Sequence, residues 1–145
     1  MHKAELCSIV IGKLMNIGGN LQREANRLLF PYGLNQQQFS VLFEIAKAGE
    51  VQQKDMINRL LLEKAHVSKI VKKLQTMGFI AIKPISEDKR TALLYPTDSG
   101  LEAIVKCRNA FEEWKKETLD QYSKEEILII MDSVDKVQKS FKKEV

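Results

Sequence analysis

Little in this chain of 145 residues suggests chemistry concentrated at one atom. It holds two cysteines, two histidines and three prolines, and aromatic residues make up 7% of it. Cys7 and Cys107 stand 100 positions apart, which suits neither a metal site nor a disulfide framework. His2 and His66 are separated by 64 positions. With no phosphate-cradling glycine loop, no HExxH and no carboxylate cluster, neither an enzyme nor a metal or organic cofactor is expected. Long apolar runs are missing as well. Nothing approaches the ~18 uninterrupted apolar residues that a membrane helix needs, and the opening "MHKAELCSIV" lacks the basic block and apolar core of a signal peptide. The expectation is a cytoplasmic protein with no membrane partner.

What is present is a respectable core and an uneven charge. Apolar residues make up 44% of the chain, enough for one compact domain over residues 1–145. The net charge is +4, and residues 50 to 95 hold nine Lys or Arg against five Asp or Glu, while the remainder balances at fourteen each. The whole excess therefore falls in one third of the chain, which suits a polyanion better than a small acidic substrate.

Apolar spacing predicts helices almost throughout. From Glu5 to Leu29, the residues Leu6, Val10, Leu14, Ile17, Leu21, Ala25 and Leu28 recur every three or four positions, with Gly18 and Gly19 as the place for a bend. "FPYG" at 30 to 33 ends this helix. Asn35 and Gln38 form a capping box, with Leu34 and Phe39 as its hydrophobic staple, so a helix opens at 36 and runs to about Gly49. A short helix from about Gln53 to Leu60 and another over 64 to 77 follow, the latter stopped by Gly78. Ser99 with Glu102 and Ser123 with Glu126 mark the starts of two final helices. The second of these carries Ile127, Ile130, Met131, Val134, Val137 and Phe141 on one side.

After Gly78 the pattern becomes that of strands. "FIAIKP" and "TALLYP" are short, rich in strand formers and closed by prolines, with "ISEDKR" between them. This predicts a two-stranded hairpin, which must lean on neighbouring helices to be stable. In the helix ahead of it, Val67, Ile70, Val71, Leu74 and Met77 share one face. Ala65, Ser68, Lys69, Lys72 and Thr76 share the other, flanked by Lys64, His66 and Lys73. Charge alone favours an ordinary solvated face. A basic helix preceded by a short helix and a tight turn, then followed by a charged-tip ribbon, instead fits a winged helix-turn-helix with the basic helix in a major groove.

From "GLNQQQFSVL" through "VSKIVKKLQTMGFI" and "SEDKR" to "PTDSG", the sequence resembles the MarR family of winged-helix transcriptional regulators. The resemblance implies a mainly α fold with a small two-stranded wing. Its winged helix-turn-helix core would occupy residues 34–97, with dimerisation helices in 1–30 and 98–145. It also implies that Arg90, with Lys89 beside it, reaches the minor groove from the wing tip while Asp88 holds the tip in shape, since a narrow groove concentrates negative potential around a guanidinium. Leu61 stands where the family usually has a glycine in the turn before the basic helix. Leucine does not easily take positive φ, so that turn is expected to be built differently.

Roles then follow from position. Ala65, Ser68 and Lys69 lie where base edges are usually reached. Lys72 and Lys73 suit phosphates, Lys64 is a further DNA-contact candidate flanking the face, and His66 at the edge of the face suits packing as well as it suits DNA. The family resemblance implies a homodimer on an imperfectly palindromic double-stranded operator, acting as a repressor released by a small-molecule effector. Phe30, Tyr32, Phe39 and Phe43 are candidates for the effector cleft. Two alternatives stand beside this reading. One is a redox sensor acting through Cys7, placed roughly where the thiol-sensing branch carries its reactive residue. The other is a winged adaptor that binds protein and not DNA.

Overall fold

The computed structural model describes residues 1–60, 62–85 and 92–141. Among these residues, six helices and three short strands run in the order α1 (Lys3–Leu29), α2 (Gln36–Ala48), β1 (Val51–Gln52), α3 (Gln53–Leu60), α4 (Lys64–Thr76), β2 (Ile80–Pro84), β3 (Ala92–Pro96), α5 (Asp98–Leu119) and α6 (Lys124–Phe141). A single 3-10 turn, Phe30–Tyr32, follows α1. The chain divides into two compact units, Met1–Phe111 and Glu112–Val145.

In the first unit, α1 continues through Gly18 and Gly19 without a break. Its end is tied to the start of α2, where Asn26 Oδ1 accepts from the Gln36 N–H at 2.7 Å. The expected capping box of α2 is present in both directions. Asn35 Oδ1 accepts from the Gln38 N–H at 2.8 Å, and Gln38 Oε1 accepts from the Asn35 N–H at 3.0 Å. Val41, Leu42 and Ile45 on α2, Met56 on α3, and Val67, Ile70, Val71 and Leu74 on α4 close around one core with Leu29 and Leu34. The helix-turn-helix is α3 followed by α4; Leu61, in the turn between them, lies outside the described residues.

Helix α4 ends in a Schellman motif. Gly78 takes φ of +79°, its N–H bonds to the Gln75 carbonyl at 3.0 Å, and the Phe79 N–H reaches the Leu74 carbonyl at 3.0 Å. That geometry turns the chain directly into β2, which fixes where the hairpin leaves the basic helix.

The sheet departs from expectation by one strand. β2 pairs antiparallel with β3, Ile82 opposite Leu94, and β1 adds to the other side of β3 with Val51 opposite Leu94 and Gln52 opposite Leu93. The order is β1-β3-β2. Two residues are too few to show a period-2 alternation, and their pairing is set by a partner some forty positions downstream, so sequence pattern could not reveal β1. The third strand also supplies the support that a lone hairpin lacks. Asp88, Lys89 and Arg90, which lie between β2 and β3 along the chain, are outside the described residues.

The start of α5 is a second correction. Ser99 and Glu102 do not cap it, because the helix begins at Asp98 and Thr97 occupies the cap. Thr97 Oγ1 accepts from the Gly100 N–H at 3.1 Å and donates to the Gly78 carbonyl, while the Thr97 N–H bonds to the Phe79 carbonyl at 3.0 Å. One threonine thus clasps the end of α4, the root of the wing and the start of α5.

The second unit comprises the end of α5 and all of α6. Here the expected cap is present: the Glu126 N–H donates to Ser123 Oγ at 3.1 Å, and the Ser123 N–H reaches Glu126 Oε1 at 3.5 Å.

Candidate nucleic-acid interface

Helix α4 is two-faced in the folded chain. Val67, Ile70, Val71 and Leu74 are buried, whereas Lys64, Ala65, Lys69, Lys72, Lys73 and Thr76 are exposed. The inner face anchors the helix against α2 and α3, and this fixes which side chains face solvent. Ser68 and His66 are half-buried, placed at the margins of the outer face and not at its centre.

Ammonium groups dominate that outer face. Among the described residues, Lys64, Lys69, Lys72 and Lys73 take part in no ion pair, whereas Lys47, Arg59 and Lys83 elsewhere in the unit each approach a glutamate, at 3.1, 3.9 and 3.7 Å. Four cations on one exposed helix face, with no neutralising carboxylate beside them, form a positive surface of the kind that attracts a phosphate backbone. Ala65 is exposed at the N-terminal end of the same face, small enough to let a base edge approach.

Two grooves flank the helix. One, of about 750 Å³, lies toward α3 and the sheet and is lined by Gln52, Lys54, Ile57, Lys64 and Ile82 among others. The other, of about 520 Å³, lies between α4 and the first turn of α2. There His66 Nε2 meets Gln37 Oε1 at 2.7 Å. Sequence reading singled out His66 but not Gln37; a contact between residues 29 positions apart leaves no spacing signature.

The remaining candidates are scattered. Phe39 stacks on Phe43 with ring centroids 5.9 Å apart and meets Phe111 at 5.7 Å, packed against the core. Tyr32 instead lines a separate hollow with Pro31, Phe79, Glu102 and Lys106, and Phe30 is 82% exposed. Tyr32, Phe39 and Phe43 all pack against the core, whereas Phe30 stands in solvent. Cys7 is exposed on α1, while Cys107 is buried in α5 with its thiol pushed up to about 11 by burial, which keeps it protonated and unreactive near neutral pH. No group of His, Cys, Asp and Glu among the described residues could hold a metal ion.

An exposed basic helix held by a short helix before it and a small antiparallel sheet after it defines a winged helix-turn-helix protein. Residues 32–91 match the model of the MarR family. The chain is 29% identical over 100 residues to an HTH-type transcriptional regulator of Bacillus subtilis, YdgJ; the match covers 69% of this chain and 61% of YdgJ. In fold it is similar to MarR of Staphylococcus aureus in complex with salicylate and kanamycin, with a TM-score of 0.88 at 18% identity, covering 97% of this chain and 95% of that one. It is also similar to a variant of MarR from E. coli complexed with operator DNA, with a TM-score of 0.78 at 21% identity, covering 89% and 94%. The winged segment, residues 32–91, thus matches the MarR family, and the fold of the chain is similar to that of MarR proteins. Among the described residues, no helix is long and apolar enough to cross a membrane.

Proposed function

We propose that the protein is a cytoplasmic homodimeric repressor that binds an imperfectly palindromic operator and is released from it by a small ligand. The observation that carries DNA binding is the outer face of α4, where four lysines stand exposed outside any ion pair among the described residues. In this reading α4 enters the major groove, with Ala65, Ser68 and Lys69 toward base edges and Lys64, Lys72 and Lys73 toward phosphates. Arg90 and Lys89 reach the neighbouring minor groove from the wing, with Asp88 bracing the tip. The operator-bound E. coli relative supports the DNA-binding mode, and the salicylate complex of the S. aureus relative supports a small aromatic effector.

Dimerisation is supported by apolar surface that a soluble monomer has little reason to display. On α1, Leu6, Val10, Ile17 and Leu21 are all about half exposed. On α6, Ile130, Met131 and Val134 are too. A two-fold axis would place the two α4 helices on half-sites about one helical turn, ~10 base pairs, apart.

Footprinting on the DNA flanking the protein's own gene, followed by anisotropy titration of the protected duplex, tests this. Tight binding that weakens steeply with salt is expected, and Arg90→Ala should lose about 1–3 kcal/mol of operator affinity. Binding insensitive to salt, or an Arg90→Ala variant as tight as the parent, would count against it.

A further inference from the structure

The groove between α4 and the first turn of α2 has a chemical bias that its residue types alone do not reveal. It contains three carboxamides, those of Asn35, Gln37 and Gln38, together with Lys69, Lys73 and Thr76. A free carboxamide offers both an acceptor oxygen and two N–H donors. In this groove each of the three oxygens already accepts one hydrogen bond. Asn35 Oδ1 accepts from the Gln38 N–H, Gln38 Oε1 accepts from the Asn35 N–H, and Gln37 Oε1 accepts from His66 Nε2 at 2.7 Å. An oxygen cannot donate, so His66 must carry its hydrogen on Nε2 to make that bond.

What the groove still offers outward is therefore mainly donors. Gln37 Nε2 has no hydrogen-bond partner among the described residues. Lys69, Lys72 and Lys73 line the same wall as exposed ammonium groups. The acceptors left are the Thr76 hydroxyl oxygen, whose hydrogen goes to the Lys72 carbonyl at 2.9 Å, and the second lone pair of each carboxamide oxygen. A donor-rich, cationic groove beside a DNA-reading helix complements an anion with several acceptor oxygens, and along a duplex that anion is a backbone phosphate.

We infer that His66 is a positioning residue that does not touch DNA. It holds the Gln37 carboxamide with its N–H groups turned outward, so that α2, together with Lys72 and Lys73, clamps a phosphate beside the α4 half-site. This rests on the DNA-binding reading above. It adds a contact from α2 through Gln37 and makes His66 its support.

The test is a double-mutant cycle read by fluorescence anisotropy on a duplex that the parent selects from a random-sequence pool, and on an unrelated duplex of equal length. Gln37→Ala should weaken both about tenfold, the loss of one hydrogen bond to a charged acceptor. It should leave the salt slope unchanged, because no cation is lost. The isosteric Gln37→Glu keeps the acceptor for His66 but turns a carboxylate toward the phosphate, and should weaken binding further. His66→Ala should cost severalfold in the parent and nothing once Gln37 is alanine. Thermal unfolding of each variant confirms that it is folded. If the parent binds duplex with a steep salt dependence but Gln37→Ala and Gln37→Glu bind as it does, the phosphate clamp is wrong. If the effects of His66→Ala and Gln37→Ala simply add, His66 contacts DNA by itself and the positioning role is wrong. If the parent binds no duplex at all, the DNA-binding reading falls and takes this inference with it.

Discussion

Gly100 shows how much one side chain can decide. A Cβ built on it would sit 2.1 Å from the Phe79 carbonyl oxygen and 2.9 Å from the carbonyl carbon, both backbone atoms that cannot swing aside. The same carbonyl accepts the Thr97 N–H, so the close approach is part of the clasp that joins α4, the wing root and α5. Gly100→Ala is expected to destabilise the fold by about 1–3 kcal/mol or more, as forced overpacking does, and urea denaturation would measure it. Gly19→Ala in α1 is the opposite case. Nothing lies within 4 Å of its added Cβ and the helix is already continuous, so the same measurement should show a gain of about 0.5–1 kcal/mol. The sequence pattern assigns the α5 cap to Ser99. It could not see that the Thr97 hydroxyl would be drawn to a carbonyl 19 residues earlier.

Helix α4 combines local and long-range determination. Its amphipathic spacing and its Gly78 stop were legible because both act within one or two turns, where 3.6-residue periodicity and left-handed backbone leave direct marks. Its four lysines fell on the outward side for the same reason. The absence of carboxylate partners for those lysines among the described residues came only with tertiary packing, and that absence leaves their charge available. Lys72→Ala should weaken specific and non-specific duplexes about equally and flatten the dependence of log affinity on log salt by ~0.9, the signature of one lost phosphate contact. Salt titrations of both variant and parent would measure it. A loss confined to the operator would mean that Lys72 reads a base. By contrast, β1 was invisible beforehand: two residues carry no pattern of their own and exist as a strand because β3 lies beside them.

Taken whole, the molecule has more apolar surface than its described packing covers. Ile127, Ile130, Met131 and Val134 on α6 are 36–53% exposed, on a helix with none of its residues buried. The proposed dimer would cover this surface, so sedimentation should give twice the chain mass of 16.6 kDa. Ile130→Glu would bury an unpaired carboxylate at two symmetry-related places, costing roughly 3–5 kcal/mol and weakening dimerisation by two orders of magnitude or more. Operator binding should fall with it, because a monomer holds one half-site. A parent that sediments as a single chain at micromolar concentration would contradict the dimer, whatever the variant does.

By itself, the sequence determined the helices, their caps at Asn35 and Ser123, the hairpin and the two-faced basic helix, since each depends on neighbours within a few residues. The tertiary structure decided the third strand, the threonine clasp on Gly78 and Phe79 and the pairing of His66 with Gln37. Those features join atoms that lie far apart along the chain. Their geometry is set only when the core closes, and no local spacing encodes it.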